Sequence, residues 1–216
     1  MSLAKLLQLA SPALPVGAYS YSGGLEAAIE AGTVRDAASA ERWIGDVLEF
    51  SLARMEGPIL LSLLSGFAAK DFSKIEKMNE TFLASRESAE LRAETVQMGY
   101  SLNRLGKDLG LGEVPLAEPS FPAAFAFAAS AWKVDPQAAL QAYLWSWLEN
   151  QVMAAVKAIP LGQTDGQRIL LSLGNGLEVL SKKVSTVKDE DTGNFTPGLA
   201  ILSAKHETQY SRLFRS

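Results

Sequence analysis

The sequence contains no cysteine and only one histidine, His206. Without cysteine the chain has no disulfide, thiolate metal ligand or thiol nucleophile, which excludes a disulfide-stabilised secreted fold. A single histidine does not suffice for a His/Cys metal site, and any Ser-His triad would have to use that one residue. We therefore expect a cytoplasmic protein that binds no metal or cofactor by itself.

Positive charge and long apolar runs are also scarce. Lys and Arg total 20 against 24 Asp and Glu, so the net charge of -4 provides no cationic surplus to neutralise a phosphate backbone. The longest apolar stretch, residues 121–132, covers about a dozen residues, fewer than the roughly 18 that a transmembrane helix needs. The apolar start of the chain is interrupted at Gln8 and Pro12, before a full signal-peptide core. Neither nucleic acid nor membrane is expected as a partner.

Strand-like alternation is almost absent, whereas apolar residues recur at helical spacing throughout the chain. The chain has 216 residues and 48% hydrophobic content, which is enough to bury one substantial core. The pattern predicts an all-α fold: one domain, residues 1–216, forming a bundle of roughly eight to ten helices.

Capping signals give the clearest helix boundaries. Asp135 followed by Pro136 predicts the start of a long helix that Pro160 ends. Thr164 and Gln167 form a predicted capping box for a helix that continues to residue 184. The remaining helices are expected at residues 24–31, 39–52, 58–69, 73–86 (with a capping box of Ser73 and Glu76), 91–109 and 121–131.

Residues 188–198 have almost nothing to bury and predict a mobile linker. The linker leads to a C-terminal tail, residues 205–216, in which tyrosine, phenylalanine and arginine are combined. Although chain ends are often disordered, tyrosine and arginine are enriched at binding hot spots, and we interpret the tail as a partner-binding segment.

The sequence shows no convergent catalytic group. No carboxylate lies alone in an apolar stretch, where burial would raise its pKa. Glu26 is interpreted as part of a solvated helix face, and residues 87–94 as an exposed run of alternating charges. No phosphate-binding loop with its lysine is present. We predict that the chain is not an enzyme; an all-α hydrolase or isomerase that uses a buried carboxylate or Lys157 is the alternative.

His206 is interpreted as a surface or interface residue near the start of a helix. A catalytic role and a transient nickel contact together with Glu207 are the two alternatives.

Two further segments have open interpretations. In residues 12–24 the prolines keep the chain extended while Tyr19 and Tyr21 cluster before a helix, so the segment either packs on the bundle or presents its tyrosines to a partner. Residues 159–167 form either a tight turn between two helices or a surface on which Gln163 and Gln167 face a partner.

Residues 14–22, 159–167 and 210–216 resemble segments of the UreF family of urease accessory proteins, and they occur in the same order as in that family. Residues 90–92 and 97–102 show supporting similarity. The resemblance implies an all-α homodimer that binds the UreD/UreH scaffold and, through it, engages the UreG GTPase and apo-urease. It also implies that nickel is handled by the complex rather than by this chain alone.

The resemblance assigns residues to each contact. For the scaffold it implies His206, Tyr210, Arg212, Leu213, Phe214 and Arg215 of the tail. For the GTPase or the urease surface it implies Tyr19, Tyr21, Lys157, Gln163, Asp165 and Gln167, although Lys157 equally suits a helix C-terminus. The wholly apolar helix is expected to be buried either in the centre of the bundle or at a subunit interface. Together with the family it predicts a dimer interface at Phe121, Phe125 and Phe127. An alternative function is GTPase activation, in which Arg168, Arg212 or Arg215 stabilises the partner's phosphate.

Overall fold

A computed structural model of the protein describes residues 3–188 and 191–216, and no strand occurs among them. The all-α prediction is confirmed. The helices are α1 Leu3–Ala10, α2 Leu25–Glu30, α3 Ala37–Val47, a π-helix Leu48–Glu56, α4 Gly57–Ala69, α5 Phe72–Ala84, α6 Ala89–Asp108, α7 Phe121–Ala131, α8 Pro136–Ala158, α9 Gln163–Gly174, α10 Leu177–Val184 and α11 Pro197–His206, with a 3-10 turn at Ala18–Ser20.

The core is built around α7 and α8. The longest helix, α8, packs against α1, α9 and α10, and Leu140, Leu144 and Leu148 on it have no exposed surface. The all-apolar helix α7 lies between α4 and α6, where its alanines permit close approach. Within the described residues, the model contains no helix of the length and hydrophobicity that a membrane span requires.

Both predicted capping boxes are wrong, whereas the cap predicted for α8 is confirmed. Asp135 caps α8 as predicted, accepting the Ala138 N–H at 3.0 Å. Helix α5, however, begins at Phe72, because the carboxylate of Asp71 accepts the Lys74 N–H at 3.0 Å and takes the capping role given to Ser73. Helix α9 begins at Gln163 after Gly162, without any side-chain cap.

The single helix predicted from residue 164 to 184 is two helices. Helix α9 ends at Gly174 and α10 begins at Leu177, with Gly176 between them. Two glycines within three residues weaken the helix at this point, because glycine has a low helix propensity. The apolar stripe continues across the break because both helices pack against α8.

The π-helix joins α3 to α4 in one helical run where we predicted two separate helices. Pro58 has no N–H, and its ring would clash with a carbonyl of the preceding turn in a regular α-helix. The wider turns of the π-helix relieve this clash. Glu56, the last π-helical residue, is buried in the core with 7% of its surface exposed.

The predicted mobile linker, 188–198, includes residues 189 and 190, which lie outside the described residues. Beyond them, the Gly193 N–H donates to the Arg54 carbonyl at 3.1 Å and the Phe195 N–H to the Phe50 carbonyl at 3.1 Å. These two bonds hold the residues that lead into α11 against the π-helix. The mobility of the whole segment stays a prediction.

Candidate functional site

The tail folds back onto the N-terminal part of the chain, and Glu26 is its main acceptor. The Glu26 carboxylate accepts the Leu213 N–H at 2.7 Å and the Phe214 N–H at 2.9 Å. Glu26 is only 7% exposed, so its interpretation as a solvated residue is wrong. Its partners lie almost the whole chain away in sequence, and no local pattern identifies it.

His206 is fully buried at the end of α11, so its interpretation as a surface or interface residue near a helix start is wrong. Its Nδ1 lies 2.5 Å from a Glu90 oxygen, and its Nε2 lies 3.2 Å from a Glu26 oxygen. Both ring nitrogens therefore lie within hydrogen-bond distance of a carboxylate, and the ring links α2 to α6.

Arg212 also contacts Glu90. Its guanidinium lies 2.6 Å from the second Glu90 oxygen. Glu90 thus contacts both His206 and the tail residue Arg212. The Arg212 side chain is 39% exposed, so water screens its ion pair with Glu90.

The tail also holds the N-terminal segment. The Arg215 N–H donates to the Ser20 carbonyl at 2.8 Å, and the Ser22 N–H donates to the Ser216 carbonyl at 3.0 Å. Of the two tyrosines, Tyr21 is buried and Tyr19 is 75% exposed. Residues 12–24 therefore pack on the bundle and present one tyrosine to solvent.

The end of α8 meets the tail at Lys157. Its ammonium lies 4.5 Å from the centre of the Phe214 ring, within the range of a cation–π contact. Phe214 is buried, whereas its neighbour Leu213 is 59% exposed. The structure thus brings together two residues that the sequence assigned to different partners.

The turn after α8 carries the other residues predicted to face the GTPase or urease. Gln163 and Gln167 are exposed at the start of α9. Asp165 is half-buried and forms an ion pair with Arg168 at 2.8 Å. Asp165 is therefore engaged within its own helix, whereas the two glutamines project into solvent.

We call the exposed side chains around the docked tail the tail surface. It is formed by Tyr19, Lys157, Tyr210, Arg212, Leu213 and Arg215. In this structure His206 and Phe214 anchor the tail from beneath that surface, and direct contact between either residue and a partner requires the tail to move.

The predicted dimer interface is partly wrong. Phe125 has no exposed surface, because it packs against Phe121 and Tyr143 at ring-centre distances of 6.0 and 5.2 Å. Phe127 is half-buried and contacts Phe67 at 5.5 Å. Phe125 thus belongs to the core of its own chain, while the assignment of Phe121 and Phe127 to an interface stays a prediction.

A buried polar cluster lies in the core and was missed by the sequence analysis. The Glu56 carboxylate accepts from the Arg86 guanidinium at 2.9 Å and from the Tyr143 hydroxyl at 2.7 Å. Burial, followed by the charge of Glu56 and the hydrogen bond to it, raises the pKa of Tyr143 well above its usual value. The arginine also lies over the Phe82 ring at 4.3 Å.

Glu94 belongs to the same cluster and contradicts the interpretation of residues 87–94 as an exposed run. The pKa of Glu94 is raised to about 7, mainly because burial disfavours the charged form; the charge of Glu56 also raises this pKa, whereas the hydrogen bond from Ser216 and the charge of Arg86 lower it. The Ser216 hydroxyl donates to Glu94 at 2.6 Å. The expectation that no carboxylate has a pKa raised by burial is therefore wrong. No sequence signal separates Glu94 from its exposed neighbours.

Over residues 3–188 and 191–216, no group of three or more His, Cys, Asp or Glu side chains is placed to hold a metal ion. The cluster of His206, Glu26 and Glu90 is occupied by its own hydrogen bonds.

Comparison with known proteins gives a consistent result. The UreF family model matches residues 34–174. Among curated proteins, the urease accessory protein UreF of Azoarcus sp. (strain BH72) is 58% identical, covering 100% of this chain and 96% of the relative. Those of Dechloromonas aromatica (strain RCB) and Janthinobacterium sp. (strain Marseille) are 53% and 52% identical, each covering 100% of this chain and 98% of the relative.

Proposed function

Because the chain belongs to the UreF family, whose members are urease accessory proteins, we propose that it serves urease maturation as a non-catalytic adaptor in the cytoplasm. Membership rests on a family model that spans more than half of the chain and on relatives that align along its full length. The accessory role in urease maturation follows from that membership. The identities of the partners and the path of nickel are the finer part of the proposal.

In this proposal the chain bridges a UreD/UreH scaffold and the UreG GTPase to apo-urease, and nickel passes through the assembled complex as cargo. The observation that carries the proposal is the docked tail. Its main chain is held by Glu26, Ser20 and Ser22, so the exposed side chains Arg212 and Leu213 are already ordered. A preordered segment loses less conformational entropy when it binds.

The proximity of Lys157 to Phe214 supports simultaneous binding of two partners. The scaffold would contact the tail, and the GTPase would contact Lys157 with Gln163 and Gln167 on the adjoining turn. A partner that displaces Phe214 changes the surroundings of Lys157 directly, which couples the two contacts. Homodimerisation remains part of the proposal.

A second candidate function, activation of GTP hydrolysis, is favoured by one observation. Arg212 is paired with Glu90, and Arg168 with Asp165. The Arg215 guanidinium has no hydrogen bond or ion pair with any residue that the structure describes. An unpaired, exposed arginine is the type of residue that stabilises a transferring phosphate in trans.

The adaptor proposal is tested with a purified UreD/UreH scaffold and UreG, by measuring complex mass with light scattering. Truncating the tail would remove the buried His206 and Phe214 and damage the fold, so surface variants are preferable. We expect Tyr210→Ala combined with Leu213→Ala to weaken scaffold binding at least tenfold. Tyr100→Ala, at an exposed tyrosine on α6, serves as the control.

The proposal is overturned if the folded wild-type chain binds neither the scaffold nor the scaffold–GTPase complex. A GTP hydrolysis rate that falls a hundredfold or more in Arg215→Ala, but not in Arg168→Ala, would establish the activating function instead.

A further inference from the structure

Charges of opposite sign lie at different depths around the docked tail, and the carboxylates lie underneath it. Glu26 accepts two tail N–H groups, and Glu94 accepts the Ser216 hydroxyl. Glu90 contacts the ring of the buried His206. The side chains of Glu26 and Glu90 are only 9% and 16% exposed, so their negative charge is largely covered.

The cations of the tail surface are exposed instead. Lys157, Arg212 and Arg215 all reach solvent. Within residues 3–188 and 191–216, neither Lys157 nor Arg215 forms an ion pair. Arg212 gives one N–H to Glu90 at 2.6 Å, whereas a guanidinium has five to give. The surface thus presents three positive charges, one of them partly neutralised, in a chain whose net charge is -4.

An exposed carboxylate, Glu207, precedes the tail surface by three residues and is engaged elsewhere. It accepts the Ala89 N–H at 2.8 Å, at the first residue of α6. The start of a helix favours negative charge, which holds the carboxylate there. The positive charge of the tail surface is therefore not cancelled by an ion pair with this neighbour.

The two arginines are held on either side of an exposed apolar residue. Leu213 follows Arg212 directly, precedes Arg215 by two residues and is 59% exposed. The Arg215 N–H donates to the Ser20 carbonyl at 2.8 Å, which fixes the backbone at this point. Because the spacing of the two cations is set before any partner binds, binding costs less conformational entropy.

We infer that the tail surface binds an acidic face of the scaffold, on which carboxylates flank an apolar patch. Arg212 and Arg215 pair with the carboxylates, while Leu213 and the fully exposed Tyr210 contact the apolar patch. Arginine suits this role because its planar guanidinium binds a carboxylate through two parallel N–H···O bonds. The inference rests on the proposed function, since it takes the scaffold as the partner of the tail.

Nucleic acid and anionic lipid also carry negative charge, but they fit the surface less well. Affinity for a phosphate backbone grows with each phosphate that is neutralised, and the net negative charge of the chain opposes its approach to a polyanion. Recognition of anionic lipid takes clusters of about four to eight Lys and Arg residues, whereas the tail surface has three cations. A protein surface with two or three carboxylates matches that charge.

The test measures the association and dissociation rate constants of the full chain with the purified UreD/UreH scaffold, without UreG, by surface plasmon resonance. The NaCl concentration is varied from about 50 to about 500 mM. Salt screens the attraction between exposed charges, which acts mainly on association. Over this range we expect the association rate constant to fall at least fivefold and the dissociation rate constant to change less than twofold.

Arg215→Glu reverses a charge that has no partner within the described chain and leaves the N–H bond to Ser20 in place. Lys77→Glu is the matched control, because it changes the net charge equally at an exposed position on α5, which packs against α4 and α7. At the lowest salt concentration, we expect Arg215→Glu to slow association at least tenfold and Lys77→Glu less than twofold.

Association that does not depend on salt, or that both variants slow equally, overturns the inference and leaves the adaptor proposal in place. If the wild-type chain does not bind the scaffold at any salt concentration, the adaptor proposal and the inference both fall. Binding of phosphatidylserine vesicles or of oligo(dT) at about 150 mM NaCl, abolished by Arg215→Glu, would assign the surface to phosphate groups and overturn the inference. The wild-type salt series decides the matter even if Arg215→Glu does not fold.

Discussion

The ammonium of Lys157 lies 4.5 Å from the centre of the Phe214 ring, so the C-terminal end of α8 supports the tail directly. The sequence left two interpretations of Lys157, a favourable position in the helix dipole and a contact to the GTPase. The structure adds a third contribution, the cation–π contact through which Lys157 helps to hold Phe214 of the tail. The three contributions are separated by measuring the stability of the free chain and its binding to partners independently.

The contact between Lys157 and Phe214 predicts energetic coupling. In a double-mutant cycle of Lys157→Gln and Phe214→Leu, we expect a coupling of about 0.5–1 kcal/mol in the free energy of unfolding, because the cation lies over the ring face. Urea unfolding of the two single variants and the double variant measures it. Lys205→Gln, also near a helix C-terminus, is the control and should be additive with Phe214→Leu. Additivity in both cycles would show that the contact contributes nothing.

Removing the charge of Glu26 is predicted to release the tail. Glu26→Gln removes one of the two carboxylates that contact the buried His206 ring and weakens the acceptor of two tail amides, for a loss of about 2–4 kcal/mol. Hydrogen exchange at Leu213 and Phe214 should accelerate accordingly. Glu30→Gln, an exposed residue on the same helix, should cost less than about 0.5 kcal/mol. Equal protection of the tail amides in the two variants would contradict this role of Glu26.

The helices were predictable from sequence wherever a local signal decided them. Asp135 with Pro136 marks the start of α8, and the apolar run that begins at residue 121 marks the extent of α7. The buried residues that hold the tail in place, Glu26 and His206, were not predictable in the same way. Glu26 and His206 meet across almost the entire chain, and their burial follows from tertiary packing that periodicity does not encode.

Tight packing between α6 and the start of α7 gives a test of the core. A Cβ added at Gly99 would overlap the backbone carbonyl of Pro119, whereas at Gly106 the nearest atom is 3.9 Å away. We expect Gly99→Ala to destabilise the chain by about 1–3 kcal/mol or more through overpacking. Gly106→Ala should be neutral or slightly stabilising, because alanine favours helix by about 1 kcal/mol. Thermal unfolding of both variants measures the difference, and equal effects would refute the close contact.

Half-buried Glu94 shows why charge patterns mislead. Glu87, Glu90, Arg92 and Glu94 alternate in sign at helical spacing, which is typical of an exposed face. Arg92 does lie at the surface, paired with Glu118, whereas Glu94 is half-buried and accepts from the Ser216 hydroxyl. The rotation of α6 against its neighbours decides which of these residues is buried, and that rotation depends on contacts with α7 and α11.

The raised pKa of Glu94 predicts a specific pH dependence. Below the ordinary value of 4.5, the carboxyl is protonated in both the folded and unfolded chain. Between 4.5 and about 7 the folded state retains a proton that the unfolded state has lost, so stability falls as pH rises through this range. The glutamine in Glu94→Gln cannot ionise, so the variant does not lose stability in this way as the pH rises. Relative to wild type, the variant should therefore gain about 2–3 kcal/mol between pH 5 and pH 8.

Urea unfolding of wild type and Glu94→Gln at several pH values between 5 and 8 measures that gain. The glutamine oxygen still accepts from Ser216, so the substitution changes the charge more than the hydrogen bonding. Glu80→Gln, at an exposed position on α5, should show a constant difference from wild type over the same range. A Glu94→Gln difference that is equally flat would contradict the raised pKa and would mean that the carboxylate is solvated when ionised.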